Sequence, residues 1–319
     1  MRARIAFLIC AGALSFAVPV SSLAHDHDPG THAAPAVAPG AATVVRNRWG
    51  ADYFPNFELT TQDGVKVRLY DDLLKGKSVA LNVFYTSCKD ECPLETAVLA
   101  QVQRILGDRV GKEIFFYSIS IEPQIDTPPV MKAYAEKFGA GPSWLFLTGK
   151  AEEIKVIARK LGLMRSRDRN VRDGHSAILM IGNEPTGQWM RNSAVDNPTF
   201  LAATLHTFFG WRETGPQKSY AEARPLDMSA GEYLFVSHCS RCHSLGGGDS
   251  IGPDLLGVTS RREGAWLVRY IHDAEKMRAA RDPIAVSLSE KYKTARMPNM
   301  RLDSGQVKDL IEYFKTRER

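Results

Sequence analysis

Several features are scarce in this 319-residue chain, and each shortage excludes a class of protein. The longest apolar run, at residues 5–20, is shorter than the roughly 20 residues that a membrane-spanning helix needs, and it contains Pro19. Concentrated positive charge is also lacking, because the net charge of +5 divides into +2 for residues 1–24, +1 for residues 25–220 and +2 for residues 221–319, and this gives no sign of a nucleic-acid surface. Five cysteines are too few for a disulfide framework in a chain of this length. A membrane bundle, a nucleic-acid-binding protein and a disulfide scaffold are therefore excluded.

The amino-terminal residues 1–24 have the pattern of a secretory signal peptide. Two arginines precede the apolar run, and a Ser-Leu-Ala segment ends at Ala24. We expect cleavage after Ala24 and export to the periplasm. An uncleaved anchor is disfavoured by the short run, and a lipoprotein is disfavoured because no small residue precedes Cys10.

Residues 25–48 are rich in alanine, proline and glycine and lack apolar periodicity, so a disordered tether is expected. His25, His27 and His32 offer weak copper or zinc ligands, although a solvated tail accounts for them more simply. After the export signal, the remaining cysteines form two close pairs, Cys88 with Cys92 and Cys239 with Cys242. This distribution indicates two chemical sites.

The first cysteine pair lies at a junction between a strand and a helix. Residues 77–85 have the apolar content of a buried strand, and residues 93–106 place apolar side chains at helical spacing. Helix N–H groups favour thiolates at Cys88 and Cys92, and a helical turn would put their Cα atoms about 6 Å apart. That separation suits either a disulfide or chelation of one metal ion. Three charged residues between the cysteines argue against two buried structural thiols.

Strand and helix patterns alternate along residues 57–209. Predicted strands cover residues 57–60, 65–69, 77–85, 114–121, 144–147, 177–181 and 188–191, and predicted helices cover residues 93–106, 126–138, 152–161 and 198–209. Such alternation predicts an α/β sandwich around a central sheet.

Several motifs in this region resemble the Sco/SenC family in order and spacing. They are Phe84-Tyr85-Thr86-Ser87-Cys88 through Cys92-Pro93-Leu94-Glu95, Ser118-Ile119-Ser120-Ile121 with Asp126-Thr127-Pro128, Trp144-Leu145-Phe146-Leu147-Thr148-Gly149, and His175-Ser176. The resemblance covers about residues 50–212. It implies a thioredoxin-like fold that binds one copper ion through Cys88, Cys92 and His175 and helps to build the dinuclear copper site of cytochrome oxidase. Glu122 departs from the pattern, because the family usually has Asp there.

The donor types agree with copper on chemical grounds. Two thiolates suit Cu(I) and an added imidazole lets the same site hold Cu(II), whereas zinc would need a fourth ligand. His175 directly precedes a predicted strand, and a loop at the end of a strand can direct it at the cysteine turn. Residues 165–172 are rich in Arg and Asp, which fits a solvated loop or a docking surface for an acidic partner.

A second motif follows an expected linker at residues 213–224. Ser229 and Glu232 form a predicted capping box at the start of a short helix. That helix leads to Cys239, Cys242 and His243, the Cys-x-x-Cys-His pattern of covalent haem c attachment. The thiols would bond to the haem vinyl groups and His243 would bind the iron. Zinc is the alternative, but no second ligand pair follows at suitable spacing.

Residues 225–319 resemble a class I cytochrome c. The motifs are Ile251-Gly252-Pro253-Asp254-Leu255 and Met297-Pro298-Asn299 before an amphipathic helix over residues 304–316. The resemblance implies that the proline carbonyl orients His243 and that the Met of Met-Pro is the sixth iron ligand. Met297 is the predicted ligand, because the following proline keeps it out of a helix, and Met300 is the alternative.

The sequence therefore predicts an α/β thioredoxin-like domain at residues 49–212 followed by a small all-α cytochrome c domain at residues 225–319. We expect a copper-binding assembly protein with a fused haem c domain, acting on a subunit of a copper-containing respiratory enzyme. A thiol-disulfide oxidoreductase that uses Cys88 and Cys92 as a redox pair, and a docked electron carrier, are the alternatives. A cytochrome or a thioredoxin-like reductant is a possible redox partner.

Overall fold

The computed structural model describes residues 49–164, 177–211 and 228–318. The predicted signal peptide and tether, the linker at residues 213–224 and His175 with its approach loop lie outside these ranges, as do the exact domain boundaries that depend on them. Within the described ranges, no helix combines the length and the apolar character that crossing a membrane requires.

The amino-terminal part of the described chain contains one mixed sheet. Its strands are β1 (Glu58–Thr61), β2 (Lys66–Arg68), β3 (Ser78–Phe84), β4 (Phe115–Ser120), β5 (Trp144–Thr148), β6 (Ile178–Asn183) and β7 (Gln188–Ser193). Their spatial order is β2-β1-β5-β4-β3-β6-β7. β3, β4 and β5 run parallel, whereas β6 pairs with β3 antiparallel.

Helices cover both faces of the sheet. They are α1 (Glu91–Leu106), α2 (Pro128–Phe138), α3 (Ala151–Lys160) and α4 (Pro198–Phe208), with a helical turn at Leu69–Leu74. Successive strand side chains point to opposite faces. Phe84 of β3 therefore packs with α1, α2 and α4, and Val83 packs with α3 and the helical turn. The predicted α/β sandwich is confirmed.

The strand register brings the functional segments to one end of the sheet. The parallel strand β4 ends beside the end of β3, where Ser120 pairs with Phe84. In the antiparallel pair, Leu81 of β3 faces Met180 of β6, so β6 begins near the carboxyl end of β3. The cysteine turn, the loop after β4 and the start of β6 consequently share this end.

Two local features differ from the sequence prediction. Helix α1 begins at Glu91, not Pro93, so Cys92 lies in its first turn. A proline near a helix start costs no hydrogen bond, because the first N–H groups of a helix have no partner within it. The helical turn at Leu69–Leu74 was not predicted; its Leu69, Leu73 and Leu74 are buried, and burial in the sheet core stabilises so short a turn.

The carboxyl-terminal part of the described chain is helical. Its helices are α5 (Ala230–Leu234), α6 (Val258–Arg261), α7 (Gly264–His272), α8 (Ala274–Ala279), α9 (Pro283–Lys291) and α10 (Ser304–Arg317). Ser229 caps α5 by accepting a hydrogen bond from the Glu232 N–H at 3.1 Å, and α5 continues into a wide turn that ends at Cys239. The predicted all-α architecture is confirmed.

Close packing of α5 on α10 positions the second cysteine pair. At Gly231, an added Cβ would lie 2.7 Å from Tyr313 Cβ and closer still to the carbonyl oxygen of Asp309. We expect Gly231→Ala to force α5 away from α10 and to lower the free energy of unfolding by about 1–3 kcal/mol, as overpacking does. Thermal unfolding of the purified protein measures this change.

Gly264→Ala is the matched control. Beyond its own helix backbone and chain neighbours, no atom of the described residues lies within 4 Å of a Cβ added there. This substitution should leave the melting temperature unchanged or slightly higher. Equal melting temperatures for the two variants would contradict the role assigned to Gly231.

Candidate functional site

The cysteine turn holds two sulfur atoms in different environments. Cys88 is partly buried, whereas Cys92 is fully buried, and both are free thiols. The Cys92 backbone N–H points at Cys88 Sγ from 3.5 Å. The Cys88 N–H bonds to the Tyr85 carbonyl at 3.3 Å, which closes the turn after β3. The first helical turn thus places both thiols at the end of the central strand.

The two thiols share one proton. A hydrogen bond from the Cys92 thiol, supported by the backbone N–H groups of Cys92 and Asp90, lowers the pKa of Cys88 to about 5. Donation to Cys88 and burial raise the pKa of Cys92. At neutral pH, Cys88 therefore carries the negative charge and Cys92 keeps the proton. A thiolate beside a thiol can bind a soft metal ion or attack a disulfide.

Acidic side chains surround the cysteine turn. Glu122 accepts a hydrogen bond from Ser87 Oγ at 2.6 Å, next to Cys88. Asp126 is fully buried and accepts hydrogen bonds from Thr86. Glu95 is also fully buried, accepts from Asn82 Nδ2 at 3.1 Å, and has its pKa raised by burial. The departure at Glu122 thus keeps a carboxylate beside the cysteine turn.

The second cysteine pair has the opposite electrostatic character. Burial raises the pKa of Cys239 to about 12 and that of Cys242 to about 11, so both are neutral thiols. Burial also lowers the pKa of His243. Nδ1 of the neutral ring lies 2.8 Å from the Pro253 carbonyl oxygen. A carbonyl oxygen can only accept a hydrogen bond, so Nδ1 carries the ring proton and donates it. Nε2 is therefore the nitrogen left to bind a metal.

An apolar cavity joins these residues. Its lining includes Cys239, Cys242, His243, Trp266, Tyr270 and Met297. Gly252 lies against the His243 ring so closely that an added Cβ would be 2.6 Å from Cε1. Two thiols, an oriented imidazole and a thioether around one apolar cavity fit haem c. Met300 also lines this cavity, so the alternative to Met297 stays open.

The cysteine turn and the haem cavity touch one another. The Arg296 N–H donates to the Lys89 carbonyl at 2.7 Å, and Leu94 of α1 forms part of the cavity lining. Ile251, 5% exposed, packs in the core cluster that also contains Cys92. Next to Cys242 in the chain, Arg241 Nη1 lies 3.5 Å from the Val195 carbonyl oxygen.

The structure therefore brings together most of the site residues that the sequence identified. His175 lies outside the described residues. Among the described residues, no group of at least three His, Cys, Asp or Glu side chains is arranged to hold a metal ion. Only two of the three predicted copper ligands, Cys88 and Cys92, belong to the described residues.

Sequence reasoning missed the contact through Lys89, Leu94 and Arg296. Leu94 has the helical spacing of a core residue, and this spacing does not show whether the side chain packs within its own domain or against another domain.

The charge state of the cysteine pair predicts a pH profile. Alkylation of Cys88 by iodoacetamide should be half-maximal near pH 5, where its thiolate titrates, and level from about pH 7 upwards. Cys92→Ala removes the thiol donor and should move the midpoint towards about 8.5, the ordinary cysteine value. Rates followed by mass spectrometry test this. A midpoint near 8.5 in the unsubstituted chain would show that the two sulfurs do not share a proton.

The axial ligand assignment predicts an absorption change. Methionine bound to ferric haem gives a weak near-infrared band, which Met297→Ala should abolish and Met300→Ala should retain. The Met297 carbonyl accepts a hydrogen bond from Arg278 Nη1 at 3.1 Å, which fixes the backbone of this loop. Near-infrared spectra of the two oxidised variants measure the effect. The opposite pattern would assign the ligand to Met300.

Comparison with known proteins identifies both halves of the chain. The family model described as SCO1/SenC matches residues 46–208, and the one described as Cytochrome c matches residues 228–318. A SCO2-like protein of Rickettsia felis is 28% identical over 148 residues, which cover 44% of this chain and 69% of that protein.

Solved structures of Sco proteins also match the amino-terminal domain. Arabidopsis thaliana ScoI with copper bound is 24% identical, with a TM-score of 0.41, and the match covers 50% of this chain and 99% of that one. BsSco, described as a member of the Sco family of cytochrome c oxidase assembly proteins, is 22% identical, with a TM-score of 0.40 over 49% of this chain and 92% of that one. The chain belongs to the SCO1/SenC family, with a thioredoxin-like Sco domain followed by a cytochrome c domain.

Proposed function

We propose that this chain is an exported, periplasmic assembly protein that holds one copper ion and delivers it to a respiratory copper site. The dinuclear copper centre of cytochrome c oxidase is the proposed type of recipient. The cytochrome c domain supplies single electrons to the copper ion. Membership of the SCO1/SenC family supports the copper role, and the cytochrome c match supports the electron-transfer role.

The observation that carries this proposal is the contact between the two sites. Leu94 follows Cys92 by two residues in α1 and lines the haem cavity. The hydrogen bond from the Arg296 N–H to the Lys89 carbonyl, at 2.7 Å, joins the segment before Met297 to the segment after Cys88. Because these backbone segments adjoin proposed ligands of both metals, electrons have a short route between the sites.

The ligand set suits a copper ion that changes oxidation state. The Cys88 thiolate and the Cys92 thiol, once deprotonated, provide two soft sulfur ligands for Cu(I). His175 is the proposed third ligand and would stabilise Cu(II). The register of the sheet supports this choice, because β6 begins at Ile178, three residues later in the chain, near the carboxyl end of β3. The cysteine turn lies at that same end of the sheet.

The haem site provides the matching redox chemistry. Bound haem changes by one electron, as copper does between Cu(II) and Cu(I), whereas a disulfide needs two. Methionine ligation raises a haem potential, and for a gap of about 300 mV the reduction of a disulfide by haem would be uphill by about 14 kcal/mol. Cys239, Cys242 and His243 would hold the group, and the lining of the cavity around them is mainly apolar.

A thiol-disulfide oxidoreductase is the second candidate function. The shared proton favours it, because the Cys88 thiolate can attack a partner disulfide and Cys92 can resolve the mixed disulfide. Substitution of His175 separates the two functions. His175→Ala should abolish Cu(II) loading and spare dithiol exchange.

The test is electron transfer within one chain. The haem is reduced anaerobically, excess Cu(II) is added, and haem oxidation is followed by stopped-flow absorbance. We expect rapid oxidation that is lost in Cys88→Ser/Cys92→Ser. Leu94→Asp places a charge where Leu94 meets the cavity and should slow oxidation about tenfold or more, because it weakens docking and leaves the two domains more dependent on encounters through their linker.

Ile105→Asp is the matched control. Ile105 lies on the same helix as Leu94 but is 51% exposed, so the same change should leave the rate unaltered. Copper per chain is measured in every variant, which separates lost binding from slow transfer. Oxidation that persists at an equal rate without the two cysteines would show that the haem does not serve this copper site.

A further inference from the structure

A buried carboxylate lies beneath the segment that leads to Cys88. Asp126 is fully buried in the loop between β4 and α2, and it is not one of the proposed metal ligands. Among the described residues it takes part in no ion pair, so its direct partners are hydrogen-bond donors. A carboxylate is costly to bury without such compensation, so its partners are informative.

The partners of Asp126 come from two strand ends. The Thr86 backbone N–H lies 3.2 Å from Oδ1 and 3.3 Å from Oδ2. The Thr86 hydroxyl donates to Oδ1, and the Ser120 hydroxyl at the end of β4 donates to Oδ2. Asp126 therefore ties the residue two before Cys88 to the neighbouring parallel strand.

The next residue towards Cys88 is held in a similar way. Ser87 donates to Glu122, whose own N–H bonds to Ser120 Oγ at 3.0 Å. Ser120 thus contacts both acidic residues of the loop after β4. Asp126 differs from Glu122 because it is buried and binds backbone as well as side chain, so it fixes the path of the chain itself.

We propose that Asp126 is a positioning residue. It holds the Thr86–Ser87 segment in place, so that the sulfur of Cys88 lies where it can bind copper. It touches neither thiol and acts through Thr86. Groups that orient a metal ligand in this way typically change metal affinity by 10–100-fold when removed. The copper part of this inference rests on the proposed function, whereas the placement of Cys88 does not.

The test compares variants of the full haem-loaded chain. Asp126→Asn should weaken Cu(II) affinity by about tenfold or more and alter the electron paramagnetic resonance spectrum of bound Cu(II). Thr86→Val removes only the hydroxyl donor, so it should fold even where Asp126→Asn does not, and should shift the same readouts by a smaller factor. Thr86→Ser keeps the donor and should restore the unsubstituted values.

A metal-free readout keeps the test independent of copper. The rate at which iodoacetamide alkylates Cys88 at pH 7 should change several-fold in Thr86→Val and Asp126→Asn but not in Thr86→Ser. The control is Asp63→Asn, since Asp63 is a surface carboxylate paired with Lys132 at 2.9 Å. Haem absorption and melting temperature are recorded for each variant.

The outcomes separate the two proposals. Altered alkylation in a chain that binds no copper supports the positioning role and refutes the copper function. Copper binding and alkylation that are unchanged in folded Thr86→Val and Asp126→Asn, with only a lower melting temperature, would overturn the positioning role and leave the copper function standing.

Discussion

The carboxyl end of β3 is the constraint on which the functional geometry depends. β3 pairs with β6 over Ser78–Leu81 and with β4 as far as Phe84, which lies opposite Ser120, so its last residues cannot shift without disturbing the sheet. The chain must leave this strand and enter α1 within a few residues, which forces Cys88 into the turn and Cys92 into the first helical turn. The shared proton follows from this placement, because it brings the Cys92 thiol and the helix N–H groups to one sulfur.

Local patterns in the sequence were sufficient to predict the strands and the main helices of the amino-terminal domain, and the first and last helices of the carboxyl-terminal domain. The apolar strand before Cys88 and the helical spacing after Cys92 are short-range signals, and the structure confirms the strand and the helix. The same holds for Ser229, whose side chain caps α5. The pairing of His243 with Pro253 relied on family resemblance, and the observed hydrogen bond between them agrees with it.

Contacts between residues far apart in the chain were not predictable in this way. Asp126 and Thr86 are separated by 40 residues, and an aspartate before Thr-Pro is equally typical of an ordinary helix start. Arg296 bonds to Lys89 through its backbone N–H, a group that every residue except proline carries and that no side-chain pattern reveals. The helical turn at Leu69–Leu74 is too short to give a periodic signal, and it is stabilised by burial.

The position of Leu94 has a further consequence, because this side chain lies next to the cysteine turn and also lines the cavity. It lies in the first turn of the helix that carries Cys92, and it also lines the cavity of the cytochrome domain. If binding at the thiols shifts this helical turn, the shift also reaches the docking contact, and such a linkage is reciprocal. If docking raises the affinity of the thiols for a bound ion by some factor, the bound ion raises the equilibrium constant for docking by the same factor. Unloading the thiols and releasing the cytochrome domain would then be two sides of one equilibrium.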